Sequence, residues 1–471
     1  MTPEMKTATC PFSAGMEIDL PIDKLAFGGK ALGRVDGFVV FVDRALPGQK
    51  VRARITRIKK QFAEAQVVQV LEQSPAYVTP FCPHFGLCGG CDWQDLAYEE
   101  QLHWKRLHLQ DCLKHLAGLS PTVIQPTVPS PQERFYRNKM EFTFAPAEDS
   151  ACLLGLHTRG STDRVFDLEH CFLQSRQSPE IVKEVRHWCG RSLRPAYNPQ
   201  TRRGYWRFLV VREGKRTGQT LVHLLTSDQE DRGAVERLAC HLKEQFPEIT
   251  TLVHSRSRKK AHLAAGGAVR SLWGPGYIEE HIGDLRLRVS AHSFLQTNSL
   301  AAEGLYNTIG RLGEFTGSET VWDLYCGAGG IGLFLAPKVG RVVGFELAAA
   351  AVADAVTNSR LNNLTNCRFV AGDLKERLPE TLKTRSHPLP EVVVADPPRS
   401  GLHPRVVEAL KELAPRRLIY VSCNPATLAR DLGLLKGHYE ILAVQPFDLF
   451  PHTAHLEGVV SLERRAGGAR G

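Results

Sequence analysis

Between residues 12 and 72 apolar and polar positions alternate with a period of two, and Gly28, Gly29, Gly33, Gly37, Pro47 and Gly48 cut the alternation into short runs. Phe38-Val39-Val40-Phe41-Val42 and Val51-Arg52-Ala53-Arg54-Ile55 are two of them. Short strands separated by closely spaced turn residues predict a small antiparallel barrel over 12–72. From Asp95 to Leu116 the period lengthens. Leu102, Leu109, Leu113 and Leu116 fall at helical spacing, predicting a helix that could pack on a later domain. The region 75–275 mixes helical stretches with strand-like ones such as Phe208–Val211 and Leu221–Leu225, the pattern of a central α+β domain. From 290 to 465 the chain repeats strand, Gly-rich turn, helix, strand, which predicts a doubly wound, Rossmann-like α/β domain. The tail after Glu463 is expected to fray.

The chain has 471 residues, which sets a prior of two or three domains. With 43% hydrophobic and 23% charged residues it falls in the globular class. No apolar run is long enough to cross a bilayer, and the first ten residues lack a basic segment followed by an apolar core. A cytoplasmic monomer is therefore expected. The formal net charge of +9 permits nucleic acid as a partner without requiring it. Lys50, Arg52, Arg54, Arg57, Lys59 and Lys60 form an acid-free stretch, either a charged edge strand or a phosphate-facing strip. Arg191, Arg194, Arg202, Arg203, Arg207, Arg212, Lys215 and Arg216 are interleaved with Tyr197, Tyr205, Trp206 and Phe208. Arg256, Arg258, Lys259 and Lys260 form another run. Cations among aromatics are expected to hold looped or single-stranded RNA through phosphates and stacked bases; the alternative is a solvated face over ordinary core aromatics.

The doubly wound part carries most of the candidate chemistry. Val321-Trp-Asp-Leu-Tyr325 runs into Cys-Gly327-Ala-Gly329-Gly330-Ile-Gly332, a strand entering a turn whose glycines allow a ligand close to the backbone. The next strand ends in Glu346, placed to take the two hydroxyls of a ribose. Asp373 and Asp396 end two further strands, so three acids lie on one carboxyl edge; the competing role for each is capping a helix. S-adenosylmethionine suits this edge better than a dinucleotide, because it has cationic groups and no pyrophosphate. Leu418–Ser422 is a further strand leading to Cys423, followed by Asn424-Pro425, which turns the chain and starts a helix. A helix N-terminus is expected to favour the thiolate, making Cys423 a candidate nucleophile. Glu457, just before the last strand, is a candidate base at the same edge, with His452 and His455 as turn residues or substitutes.

Twelve cysteines in a chain of this class argue for a metal site rather than a disulfide framework. Cys82, Cys88 and Cys91 are spaced C-x5-C-x2-C around two glycines. Spacing alone leaves zinc and an iron–sulfur cluster open. His84 is expected to be a turn residue, and Cys112, Cys152, Cys189, Cys240 and Cys367 ordinary packing. Being distant in sequence from the catalytic strands, the cysteine segment is expected to serve folding or RNA docking rather than chemistry.

Four stretches in order, Phe294-Leu-Gln296-Thr-Asn298, Asp396-Pro-Pro-Arg-x-Gly, Ser422-Cys-Asn-Pro-Ala-Thr-Leu-Ala-Arg and Phe450-Pro-His-Thr-x-His-x-Glu457, resemble those of the RNA uracil-5-methyltransferases. The resemblance covers nearly the whole chain. It extends to a TRAM-like, OB-like barrel at the N-terminus and to the iron–sulfur segment of the branch that acts on 23S ribosomal RNA. It implies a class I methyltransferase using S-adenosylmethionine, with Cys423 as nucleophile and Glu457 as base acting on carbon 5 of a flipped uridine. It assigns Gln296, Tyr325, Glu346, Asp373 and Asp396 to the cofactor site, Asp396 and Gln296 also to the uracil edge, and Cys82, Cys88, Cys91 and Cys171 to a 4Fe–4S cluster. Phe294, beside Gln296, could stack on a base. Gly330 departs from members that carry Asn there. A cytosine-5 enzyme would leave the segment ending at Glu457 unexplained; a tRNA target, or RNA binding without catalysis, are the other readings.

Overall fold

The computed structural model describes residues 11–119, 124–147, 152–192, 194–229, 233–258, 264 and 266–466. Lys259, Lys260 and the tail beyond residue 466 lie outside them. Strands Glu17–Pro21, Lys24–Leu25, Ala31–Val35, Phe38–Asp43, Lys50–Ile58 and Phe62–Glu72 form one six-stranded sheet. Alternation sets the inner face of Phe38–Asp43: Phe38, Val40 and Val42 are buried while their neighbours are partly exposed. The core beneath is Leu20, Val40, Val51 and Ile55, and it continues into Trp93, Trp104 and Ala454, which belong to other parts of the chain. The basic stretch on Lys50–Ile58 is largely neutralised across the sheet. Arg52 pairs with Asp19 at 2.8 Å, Arg54 with Glu17 at 2.7 Å and Lys50 with Glu72 at 3.6 Å, leaving Arg57, Lys59 and Lys60 exposed.

The middle of the chain forms a seven-stranded sheet from Lys139–Ala145 through Val269–Trp273, with helices Gln177–Gly190 and Ala234–Gln245 packed on it. Here the expected RNA surface is corrected. Tyr197, Tyr205, Trp206 and Phe208 are all buried, as are Arg207 and Arg212, so none of these aromatics can stack on a base. Trp206–Glu213 is a central strand paired on both sides, and both of its faces are covered. Arg202 and Arg203, at the turn before it, remain exposed.

The last domain holds the sheet that matters for function. Its strands are β1 (Thr320–Leu324), β2 (Arg341–Glu346), β3 (Cys367–Ala371), β4 (Val392–Ala395), β5 (Arg417–Ser422), β6 (Tyr439–Phe447) and β7 (Glu457–Arg464). Their order is β3-β2-β1-β4-β5-β7-β6. The first five are parallel, and β7 enters antiparallel between β5 and β6. Alternate residues feed two cores: Val321 faces one and Trp322 the other. Helix α1 (Tyr98–Ala117) lies on this domain, contributing Leu109, Leu113 and Ala117 to the Trp322 core. No helix among the described residues is long and apolar enough to cross a membrane.

Candidate active site

The register of β7 decides the site. Ser422 at the end of β5 pairs with Gly458, so Cys423 and Glu457 emerge next to each other at the carboxyl edge. The residues after Cys423 hold it in place. Asn424 caps helix α2 (Pro425–Leu435), accepting the Ala426 N–H at 3.1 Å, and its amide donates to the Arg399 carbonyl at 3.0 Å. Thr427 Oγ1 donates to the same carbonyl at 3.2 Å. Asp431 accepts the Leu402 N–H at 2.8 Å and the Tyr420 hydroxyl at 2.7 Å. The Asp396-Pro-Pro-Arg loop and the cysteine helix are thus stapled together.

Electrostatics at this end are dominated by desolvation. Glu457 is only 2% exposed, and burial, reinforced by the Asp396 carboxyl, raises it well above the usual range. Asp396 is pushed up to about 7 by burial, opposed by the Gln296 amide, which donates to it at 3.1 Å. The Cys423 thiol is pushed up to about 11 by burial first and by the Glu457 charge second. The helix N-terminus therefore does not by itself yield a thiolate. Arg399 opposes the rise at both Cys423 and Glu457; its guanidinium reaches the thiol and lies 3.4 Å from the ring nitrogens of His455.

A small cavity opens beside this cluster. Gln296, Tyr325, Asp396, Phe294, Asp323 and Asn358 are among its walls. Tyr325 leaves β1 with φ +65°, a left-handed conformation that costs a non-glycine residue about 1–3 kcal/mol and is kept where the surroundings enforce it. Glu346 lies further along the same edge, accepting the N–H groups of Gly327 at 3.1 Å and Ala348 at 2.8 Å. Asp373 is different: it caps the following helix through the Lys375 N–H at 3.2 Å and pairs with the Lys375 ammonium at 2.9 Å. Neither Glu346 nor Asp373 is among the cavity walls. At Gly330 a Cβ would stand 2.6 Å from the Tyr306 hydroxyl, so Tyr306 fills the space of the missing side chain.

Two functional candidates escaped the sequence reading although their motifs were in view. Arg399 is the cation of the Asp-Pro-Pro-Arg loop. Asp323, under the Gly-rich turn, is pushed up to about 7 by burial; one oxygen accepts the Gly332 N–H at 2.8 Å and the other is buried without a partner. An acid followed by a Gly-rich turn was the available signal. His452 instead takes the structural role: it is buried with φ +66°, and its N–H donates to Gln101 Oε1 at 2.9 Å.

Cys82, Cys88, Cys91 and Cys171 line a second cavity, with Leu156, Leu168 and Leu173 among its apolar walls. His84 is a turn residue there, its Nε2 accepting the Glu169 and His170 N–H groups at 3.2 and 3.3 Å and so clamping the segment that carries Cys171. Among the described residues no three His, Cys, Asp or Glu side chains converge as the ligands of one metal ion. Though distant in sequence from the catalytic strands, this segment is close to them in space. Asp92 and Trp93 donate their N–H groups to the His452 carbonyl at 2.8 and 3.0 Å, five residues before Glu457.

Residues 97–465 match the tRNA (uracil-5-)-methyltransferase family and residues 11–68 the TRAM domain. A Nitratidesulfovibrio vulgaris protein described as an uncharacterized RNA methyltransferase is 42% identical, the match covering 96% of this chain and 97% of that one. A Bacteroides thetaiotaomicron protein described in the same words is 37% identical over 94% of this chain and all of its own. Among solved structures, the tRNA (uracil-54, C5)-methyltransferase of Pyrococcus abyssi, in complex with S-adenosyl-L-homocysteine, superposes with a TM-score of 0.75 at 28% identity, covering 94% of this chain and 100% of that one. With its Rossmann-like sheet, its N-terminal barrel and a family match over most of its length, this chain belongs to the tRNA (uracil-5-)-methyltransferase family and carries a TRAM domain.

Proposed function

We propose that the protein methylates carbon 5 of a uridine in RNA with S-adenosylmethionine, through a covalent bond from Cys423 to carbon 6. The observation that carries this reading is the convergence of Cys423, Glu457, Arg399 and Asp396 beside a cavity walled by Gln296 and Tyr325. Asp323 and Asp396 on the cavity wall suit the cationic groups of the donor, and Glu346, further along the same edge, would suit ribose hydroxyls. Carbon 5 of uracil is a weak nucleophile. Addition of the Cys423 thiolate forms the sulfur–carbon 6 bond and moves the ring electrons into an enolate that is nucleophilic at carbon 5. Carbon 5 then takes the methyl as the sulfonium–methyl bond breaks. Glu457 removes the carbon 5 proton, the sulfur–carbon 6 bond breaks, and the ring and the thiolate are restored. Both groups sit high in the protein alone, so Arg399 and the cationic donor supply the positive charge that ionises them. The base must leave its stack to be reached, so the uridine is flipped or lies in a loop.

Glu457→Gln tests the mechanism. The amide cannot accept the carbon 5 proton, so a denaturant-stable protein–RNA adduct carrying the labelled methyl is expected, absent when Cys423→Ala is added. Normal turnover without an adduct would sink this assignment.

For the target we propose 23S ribosomal RNA, on the combination of a TRAM domain with the cysteine segment. The likeness to a tRNA enzyme favours tRNA as the alternative. Mass spectrometry of both RNAs from a deletion strain decides: 5-methyluridine should disappear from the ribosomal RNA. We further propose that Cys82, Cys88, Cys91 and Cys171 hold a 4Fe–4S cluster. Four thiols lining one cavity can supply a cluster with one thiolate for each iron, as the resemblance implies. Such a group would anchor the 82–91 loop to the segment of Cys171. Anaerobically purified protein should contain iron and sulfide; stoichiometric zinc without iron would refute it.

A further inference from the structure

The turn that presents Glu457 runs from Asp448 to Leu456, between β6 and β7, and it has no regular structure of its own. Its backbone is held almost entirely from outside the catalytic sheet. Lys105, on α1, forms an ion pair with Asp448 at 2.6 Å, neither side chain having any exposed surface. The same ammonium donates to the Phe450 carbonyl at 3.1 Å, and Asp448 accepts the Phe450 N–H at 2.9 Å. One turn earlier on α1, Gln101 accepts the His452 N–H at 2.9 Å. Its amide donates to the Trp93 and Leu96 carbonyls, both at 2.9 Å. Asp92, next to Cys91, accepts the Ala454 N–H at 3.3 Å. On its other oxygen Asp92 meets Arg159 at 2.9 Å, and Arg159 reaches back to Asp43 of the barrel at 3.3 Å.

A buried ion pair is a poor source of stability, since well-packed apolar residues of similar volume serve a fold as well or better. What Lys105, Gln101 and Asp92 provide is direction: each fixes a named backbone atom between seven and three residues before Glu457. Apolar burial of Leu449, Ala454 and Leu456 would keep the turn closed without them, but it would not fix where the carboxyl points. A displacement of about 1 Å is enough to cost a reacting group most of its effect.

We infer that Lys105, Gln101 and Asp92 are positioning residues for the proton-abstraction step, so that α1 and the cysteine segment set the placement of Glu457. The inference rests on reading Glu457 as the base. Positioning and mere structural support differ in their kinetics. Methyl transfer precedes loss of the carbon 5 proton, so a misplaced base slows only the last step. The covalent adduct then accumulates, whereas a loosened fold would lose adduct and methyl transfer together.

The test uses the full chain, labelled methyl donor and total RNA from a strain lacking the gene. Lys105→Met with Asp448→Leu removes both charges at once, so that no unpaired buried charge is left to unfold the protein. Gln101→Met removes no charge at all and serves as the second variant. Both are expected to form labelled adduct at close to the wild-type rate, to resolve it about tenfold or more slowly, and to lose the adduct when Cys423→Ala is added. Glu457→Gln is run beside them. If it accumulates adduct while the two variants lose adduct and methyl transfer in parallel, or turn over normally, the positioning role is overturned and the base assignment stands. If Glu457→Gln itself leaves no adduct, the base assignment falls and the positioning role falls with it.

Discussion

The carboxyl edge of the catalytic sheet has two halves that use one residue type in opposite ways. On the β4, β5 and β7 side, Asp396 and Glu457 are crowded together and desolvated, and both rise far above the usual carboxylate range. On the β2 and β3 side, Glu346 is spent on two backbone N–H groups, and Asp373, solvated and paired with Lys375, is held below its ordinary value. All four acids lie at a strand end or within two residues of one, so topology does not distinguish them. Water does. Where the edge is buried, as at Asp396 and Glu457, a carboxyl is raised toward the range of a useful proton acceptor; Asp373, exposed beside Lys375, is lowered instead.

If the buried half of the edge is where the chemistry lies, substitutions there cost the most. The largest effect is therefore expected for Cys423→Ala, which should lower methyl transfer by about 10⁴-fold or more while calorimetry shows S-adenosyl-L-homocysteine still bound. Arg399→Gln comes next. Arg399 lowers both Cys423 and Glu457, and both must lose a proton to act, so its removal raises both. Activity, which falls as pH falls, should lose its acid side earlier: the rising limb of the pH–rate profile should move up by about one to two units. The deficit should be about 10- to 100-fold near pH 7 and narrow toward pH 9. An unshifted profile would remove Arg399 from the ionisation of the pair. On the open half the effects are smaller and fall on binding. Glu346→Gln should raise the KM for the donor about tenfold, some 1.4 kcal/mol, with kcat little changed. Asp373→Asn should change either constant by less than about threefold, because an exposed carboxylate already paired with Lys375 has little interaction energy to lose. A larger effect at Asp373 than at Glu346 would reverse the assignment of the two acids.

Much of this edge was legible in the chain because it is local. A strand ending in an acid, a Gly-rich turn, or Cys followed by Asn-Pro is written within a dozen residues, and parallel pairing brings such ends to one side of a sheet. What escaped depends on contacts the local pattern does not encode. Lys105 and Asp448 meet across 343 positions, and neither reads as anything but a surface charge until α1 is seen against the turn. Tyr205, Trp206 and Phe208 look like a stacking platform among arginines, yet a strand paired on both sides, with both faces covered, has no surface to offer. The rise at Cys423 has a related cause: a helix N-terminus is local, whereas burial and the approach of Glu457 are not.

The barrel core is completed by Trp93, Trp104 and Ala454, so it shares apolar contacts with α1 and with the turn before Glu457. No slack linker separates the barrel from the catalytic edge. If the barrel grips RNA, its grip lies at a set distance from Cys423, like one jaw of a caliper whose other jaw is the thiol. Uridines with identical neighbours would then be told apart by their separation from the gripped segment in the folded RNA.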